Sequence, residues 1–137
     1  MTSERRPTRD RRCRDARHRD RGAVDVSIQM LFGFMAVLTT MLLIFEATTF
    51  WHARNVYDEA ASEGARVAAA YDGSCAQGVA AAQALVRRVA GSWARAVSVT
   101  CTGGATVTVT VTGNTPGVLG SALGFQARVT ETAPKEA

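Results

Sequence analysis

Histidine and cysteine are the residue types of this chain best suited to metal binding or nucleophilic chemistry. The two histidines, His18 and His52, lie on either side of an apolar stretch and are too far apart to share a site. Cys75 and Cys101 are too few for a structural zinc site, and no histidine near them completes one. The sequence has no H-E-x-x-H, G-x-S-x-G or P-loop pattern. We therefore predict no enzymatic activity, no metal and no cofactor.

The apolar stretch, Ile28–Phe45, is 18 residues long and carries no charge. As a helix it would be about 27 Å long, close to the roughly 30 Å of a bilayer's hydrocarbon core. The hydroxyls of Thr39 and Thr40 can hydrogen-bond within such a helix, and Trp51 is placed to anchor at the interface. We predict a transmembrane helix over residues 23–51. The alternative is a buried helix of a soluble core, but such a helix usually has a polar stripe, and this one has none.

Positive charge is concentrated before this stretch. Residues 1–22 hold nine arginines and four acidic residues, whereas the rest of the chain holds seven basic and eight acidic residues. Positive charge beside a membrane helix stays in the cytoplasm. We therefore predict a single-pass protein of the cell membrane, with a cytoplasmic N-terminus and an extracytoplasmic C-terminal part.

Residues 1–22 contain almost no apolar side chain, which predicts a disordered basic leader. Arginine-rich tails also occur in nucleic-acid-binding proteins. This one has no interleaved aromatic residues, and a membrane helix follows it directly. A role in setting topology or contacting lipid headgroups is therefore favoured, and no nucleic-acid partner is predicted.

Two cysteines follow the predicted membrane helix, on the side where disulfides persist. A Cys75–Cys101 bond would close a loop of about 25 residues, worth roughly 3 kcal/mol in the chain-entropy model. The alternative is two buried free thiols. Cys13 lies in the basic leader, where a reducing cytoplasm would keep its thiol free.

The remaining part of the chain, residues 52–137, is predicted to form a small extracytoplasmic head. Small and apolar residues recur at helical spacing between Val56 and Tyr71, which predicts an amphipathic helix over residues 52–72. Within it, Glu63 and Arg66 are spaced to pair. A second helix is predicted over residues 75–92.

Alternating valine and threonine then predict antiparallel strands. Their expected bounds are about 96–101, 105–112 and 125–131, and the chain from Thr132 is expected to be a frayed tail. These elements predict an α+β protein. It combines a long N-terminal helix, transmembrane and then amphipathic, with a head that contains a sheet of about three strands.

Three segments of the chain resemble a known family in their order and spacing. They are Arg21-Gly22-Ala23-Val24-Asp25-Val26, Ala53-Arg54-Asn55-Val56 and Ala60-Ala61-Ser62-Glu63-Gly64-Ala65-Arg66. Together they resemble the TadE-like family of tight-adherence (Flp-type) pilus assembly proteins, or pseudopilins, over roughly residues 20–70. The central family motif is Glu63, Gly64, Ala65 and Arg66. The resemblance implies a basic leader, a retained membrane helix and a small disulfide-bearing α+β head.

The junction between Gly22 and Ala23 is where this resemblance places cleavage by a prepilin peptidase. The cut would remove the leader and keep the apolar helix. The family usually has a glutamate near the fifth position after the glycine, whereas this chain has Ser27 there and its nearest acid is Asp25. From the residues alone, Gly22 is equally a flexible joint at a helix start.

The resemblance implies a minor pilin, pseudopilin or assembly component that acts by helix–helix packing. Its partners would be the lipid bilayer, other pilins and inner-membrane platform proteins. Small residues permit close helix packing. The predicted assembly positions are Gly33, Ala36, Glu46, Val56, Ala60, Gly64 and Val67.

Two alternatives remain open. Glu46 either pairs with a partner subunit or is an idle, solvated carboxylate in the headgroup region. The chain as a whole is alternatively a membrane-anchored binding module, whose head captures an extracellular ligand.

Overall fold

The computed structural model describes the backbone of residues 10–94, 96–119 and 125–136, and the side chains of these residues from Val26 onward. The chain forms two compact units, which divide between Leu42 and Leu43. Helix α1, Asp10–Ala69, contributes to both units. The second unit also contains helix α2 and a three-stranded sheet.

Helix α1 begins earlier than its sequence predicts. The scarcity of apolar residues predicts disorder over residues 1–22, but the structure is helical from Asp10; residues 1–9 lie outside the described part. Arginine and alanine, which are frequent after Asp10, are good helix formers. Because extending a nucleated helix costs far less than starting one, the apolar helix propagates into this basic segment.

The part of α1 in the first unit exposes its apolar side chains. Every described side chain from Val26 to Leu42 is exposed. By length and composition, the helix over Val26–Ala69 is able to cross a membrane, and none of its most apolar window is buried within the protein. The hydroxyls of Thr39 and Thr40 each donate to the carbonyl four residues earlier at 2.8 Å. These two hydroxyls are therefore satisfied inside the helix, as predicted, and need no water.

Helix α2 runs from Cys75 to Ala90 and starts with a capping box. The Ser74 hydroxyl accepts a hydrogen bond from the Gln77 backbone N–H at 3.3 Å, and Gln77 Oε1 accepts one from the Ser74 N–H at 3.0 Å. These bonds satisfy two backbone donors at the helix start. The helix ends two residues before the predicted bound, at Gly91, which has a φ of 58° that glycine adopts without strain.

The sheet is antiparallel, with its strands in the order β1-β2-β3. The strands are β1 Ser98–Thr102, β2 Thr106–Asn114 and β3 Gln126–Pro134. Along the central strand, Val107, Val109 and Val111 are buried, whereas the threonines between them are not. The valine and threonine alternation thus places one face of the sheet in the core, and the predicted α+β class is confirmed.

The core of the head joins the C-terminal part of α1 to α2 and the sheet. The residues that α1 buries recur at helical spacing, as predicted: Ala53, Val56, Tyr57, Ala60, Ala61, Ala65, Ala68 and Ala69. From α2 come Leu85 and Val86, and from the sheet the valines of β2 and Val129. Since most of the α1 contribution is alanine, the helix backbone lies close to its neighbours.

The chain is ordered from Thr132 to Glu136, so the prediction of a frayed tail over these residues is wrong. Strand β3 continues to Pro134, and the ammonium of Lys135 then donates to three backbone carbonyls. They belong to Ala68, Ala70 and Gly73, at 3.1, 2.6 and 2.7 Å. Carbonyls in the last turn of a helix have no intrahelical donor. Lys135 therefore caps the C-terminus of α1, where a positive charge also favours the helix dipole.

Replacing Lys135 with methionine is expected to lower the free energy of unfolding of the head by about 1–3 kcal/mol, because three carbonyls lose a charged donor. Urea unfolding followed by near-UV circular dichroism would measure this loss. Arg128→Met, which removes an exposed cation from β3, the strand directly before Lys135, is the control and should change stability by less than about 0.5 kcal/mol. Equal effects of the two substitutions would contradict the capping role.

Candidate assembly surface and the contacts of the head

The predicted assembly positions of α1 fall into two groups with different surroundings. Val56, Ala60 and Gly64 lie in the core of the head, and Val67 is half-buried. Val56, Ala60 and Gly64 are therefore occupied within the chain, which corrects their prediction as assembly positions. Amphipathic spacing identifies a face that packs, but it does not distinguish packing within one chain from packing between chains.

Gly64 lies directly against α2. A Cβ atom at Gly64 would lie 2.9 Å from the carbonyl oxygen of Gly78 and 3.0 Å from the Cβ of Ala82. At Gly78 it would lie 2.5 Å from the carbonyl oxygen of Gly64 and 2.6 Å from the Cβ of Ala68. Only glycine fits at either position, so the two helices cross backbone to backbone.

The four residues of the family motif divide between the core and the surface. Gly64 and Ala65 are buried, whereas Glu63 and Arg66 form an ion pair on the outside of α1. The Arg66 Nε and Nη2 donate to Glu63 Oε2 and Oε1 at 3.0 and 2.9 Å. An exposed i,i+3 pair of this kind contributes a few tenths of a kcal/mol. The motif thus has a structural role within the head.

The assembly positions in the first unit remain exposed. A Cβ atom added at Gly33 would meet no atom within 4 Å, apart from those of its own helix, and Ala36 is exposed. Both positions are exposed, and their role in assembly stays a prediction.

The predicted processing residues lie in the helical part of the chain. Gly22, Ala23 and Asp25 belong to α1 by their backbone, but their side chains lie outside the described residues; Ser27 is exposed. The cleavage after Gly22 stays a prediction.

Glu46 has a partner within its own chain. Its Oε1 accepts a hydrogen bond from the backbone N–H of Leu119 at 2.7 Å, and its carboxylate also lies against Gly117, whose φ is 128°. A side chain at Gly117 would collide with this carboxylate. The sequence gives no sign of this contact, because 73 residues separate Glu46 from Leu119.

The disulfide prediction is confirmed. Cys75 and Cys101 are bonded, with their Cα atoms 5.5 Å apart. The bond links the first residue of α2 to strand β1. It therefore fixes the second helix on the sheet.

Tyr57 is an important core residue that the sequence does not single out. Its hydroxyl donates to the carbonyl of Asn114 at 2.6 Å, and its ring lies 5.9 Å from that of Trp93. Burial disfavours the charged phenolate and raises the pKa of Tyr57 to about 12. The proton is therefore held more tightly in the folded chain than in the unfolded chain.

This raised pKa predicts that the head loses stability as the pH rises from 10 to 12. Below pH 10 both states keep the phenolic proton, whereas above it the unfolded chain releases the proton first, which favours unfolding. Tyr57→Phe should remove this contribution and, at neutral pH, lower stability by about 1–2 kcal/mol through the lost hydrogen bond. Tyr71→Phe is the control, because Tyr71 is exposed. Thermal unfolding at several pH values measures both effects; identical pH profiles for the two variants would contradict the assignment.

A shallow cavity of about 530 Å³ lies where α1 ends and α2 begins. Its lining includes Tyr71, Asp72, Gln77 and Glu136. In the described part of the chain no three histidine, cysteine or acidic side chains are grouped so that they could hold a metal ion.

Comparisons with protein-family models, with curated proteins and with solved structures found no match to this chain. We therefore infer function from the residues and contacts described above.

Proposed function

We propose that this protein is a pilin-like subunit, a minor pilin or pseudopilin, of a tight-adherence pilus and secretion system. It is anchored in the cell membrane with its N-terminus in the cytoplasm. It acts by helix–helix assembly and not by catalysis. The observation that carries the proposal is the division of α1 into two parts.

The first part of α1 needs an apolar environment that the chain does not supply. Eleven large apolar side chains from Met30 to Ile44, among them Phe32 and Phe34, are exposed, most of them by more than half. A folded protein in water rarely leaves so large an apolar surface uncovered. Lipid and neighbouring helices of like subunits are surroundings that would cover it.

The second part of α1 packs into the core of the head. From Ala53 onward the same helix buries alanine, valine and tyrosine against α2 and the sheet. A helix that is covered by its own head at one end and uncovered at the other is suited to a subunit that assembles through its membrane segment. The order of leader junction, apolar helix and Glu63-Gly64-Ala65-Arg66 motif, with its resemblance to TadE-like proteins, also supports the proposal.

The intact mass of the protein recovered from its native membrane tests the pilin-like processing. We expect a chain that begins at Ala23, and a mass that increases by two hydrogen atoms on reduction of the disulfide. Gly22→Leu should block the cut and give the full-length mass. The control is Gly33→Leu, which changes a glycine of the same helix away from the junction and should leave the cut in place.

A full-length mass for the unsubstituted chain would contradict processing after Gly22. The protein would then be a retained membrane component. That result would favour the alternative of a membrane-anchored binding module. The cavity beside Tyr71 is where its ligand would be sought.

A further inference from the structure

Hydrogen bonds join Thr115 and Phe125, the two residues at the ends of the connection between β2 and β3. The backbone N–H and the hydroxyl of Thr115 both donate to the carbonyl of Phe125, at 3.1 and 3.3 Å. Thr115 is 4% exposed. Residues 120–124 lie outside the described part, so only residues 115–119 and Phe125 are considered below.

The contact with Glu46 ties this connection to α1. Glu46 directly follows Phe45, the last residue of the uncharged apolar stretch. Because Leu119 donates to the Glu46 carboxylate at 2.7 Å, the connection lies at the level where the apolar stretch ends. Trp51 follows five residues later, or about 7.5 Å along the helix axis.

Two apolar side chains of the connection and two of the adjoining part of α1 are exposed. Val118 is 59% exposed and Phe125 48%, and on α1 Phe50 and Trp51 are 41% and 65% exposed. The sequence from residue 113 to residue 127 carries no charge. Exposed aromatic and apolar groups without charge, next to the end of a membrane helix, are typical of the membrane–water interface.

We infer that the described ends of the β2–β3 connection, residues 115–119 and Phe125, form a second membrane contact. Val118 and Phe125 lie in the interfacial region of the outer leaflet, and Glu46 holds the connection there. The inference rests on the membrane insertion of α1 that the proposed function includes, and it adds a fixed attachment of the head to the bilayer surface.

Lipid fits this surface better than an unidentified protein, because residues 113–127 carry no charge and Glu46, which accepts from Leu119, directly follows the uncharged run Ile28–Phe45. The role of Glu46 follows from its position. A carboxylate at the edge of the hydrocarbon core is costly without partners, and here a backbone N–H of the connection supplies one. The same hydrogen bond therefore satisfies the carboxylate and sets the depth of the connection.

The test uses the full chain, with Cys13→Ser and the native disulfide intact, in phosphatidylcholine vesicles. Single cysteines carrying the fluorophore NBD are introduced by Val118→Cys, Tyr71→Cys and Leu38→Cys. Tyr71 is the control in the head because it is 74% exposed and lies far beyond Glu46 along the chain, past the end of α1. Quenching by brominated lipid and by aqueous iodide is measured at each position.

We expect the probe at position 118 to be quenched by brominated lipid, and by iodide several-fold less than the probe at position 71. Equal iodide quenching at the two positions would overturn the inference. So would a probe at position 118 that neither quencher reaches, since a protein surface and not lipid would then cover it.

The probe at position 38 tests the membrane insertion of α1 separately from the second membrane contact. If it is quenched by lipid while the probe at position 118 is not, the membrane helix stands and only the second contact fails. If the probe at position 38 is quenched by iodide, membrane insertion fails, and this inference fails with it.

Discussion

Replacing Gly64 with leucine is expected to unfold the head. A Cβ atom at this position would already lie 2.9 Å from a backbone carbonyl oxygen of α2 and 3.3 Å from Val109 Cγ1. Neither a helix backbone nor a central strand moves without disturbing the rest of the core. We expect a loss of at least about 3 kcal/mol, which is the upper end for overpacked cores and a large share of the stability of a small domain.

The chain offers matched controls for this substitution. Gly33→Leu changes a glycine of the same helix that has open space around it, and Glu59→Lys reverses a charge on the exposed side of the core helix. Both should leave the unfolding of the head unchanged, whereas Gly64→Ala should give a smaller loss than Gly64→Leu. Urea unfolding of the full chain in detergent, followed by near-UV circular dichroism, measures the stability of the head in all four variants. A Gly64→Leu protein with wild-type stability would contradict the backbone-to-backbone crossing of α1 and α2.

Removing the disulfide by Cys75→Ser and Cys101→Ser together is expected to lower stability by about 3–4 kcal/mol. The bond joins residues 26 positions apart. Without it the unfolded chain is no longer closed into a loop, so its conformational entropy rises. A head of this size has a limited core with which to compensate. The same unfolding measurement gives the difference.

Cys13→Ser is the control for this prediction, because Cys13 takes no part in the bond between Cys75 and Cys101. Adding a reductant to the unsubstituted chain should reproduce the double substitution. If the double variant were as stable as the Cys13→Ser variant, the disulfide would not be a stabilising element of the head.

Local patterns in the sequence account for most of the fold. The uncharged run Ile28–Phe45 identifies the long apolar helix that is able to cross a membrane, and the spacing of small residues from Val56 identifies the face that α1 buries. Strict valine and threonine alternation determines which face of β2 lies in the core. Each of these signals is periodic and short in range, so neighbouring residues are enough to recognise it.

The contacts that the sequence does not reveal join distant parts of the chain. Lys135 caps a helix that ends far earlier in the chain, at Ala69, and Glu46 accepts from Leu119. A lysine in a polar tail and a glutamate beside an apolar stretch have many possible partners, and only the packing of the head selects among them. For the same reason, Gly64 could be assigned to a packed face from its spacing, but its partner, Gly78 of α2, could not.

The membrane part of α1 is expected to assemble through one face, and cysteine cross-linking tests this most directly. In native membranes, single cysteines at Gly33 and Ala36, on the side with small residues, should form disulfide-linked pairs of chains under mild oxidation. Cysteines at Leu31 and Leu42, on the opposite side of an ideal helix, should form few. Each variant carries Cys13→Ser, so that only the introduced thiol reacts. Cross-linking that follows the helical period in this way is the predicted result; no cross-linking at any position, or equal cross-linking at all four, would contradict assembly through this helix.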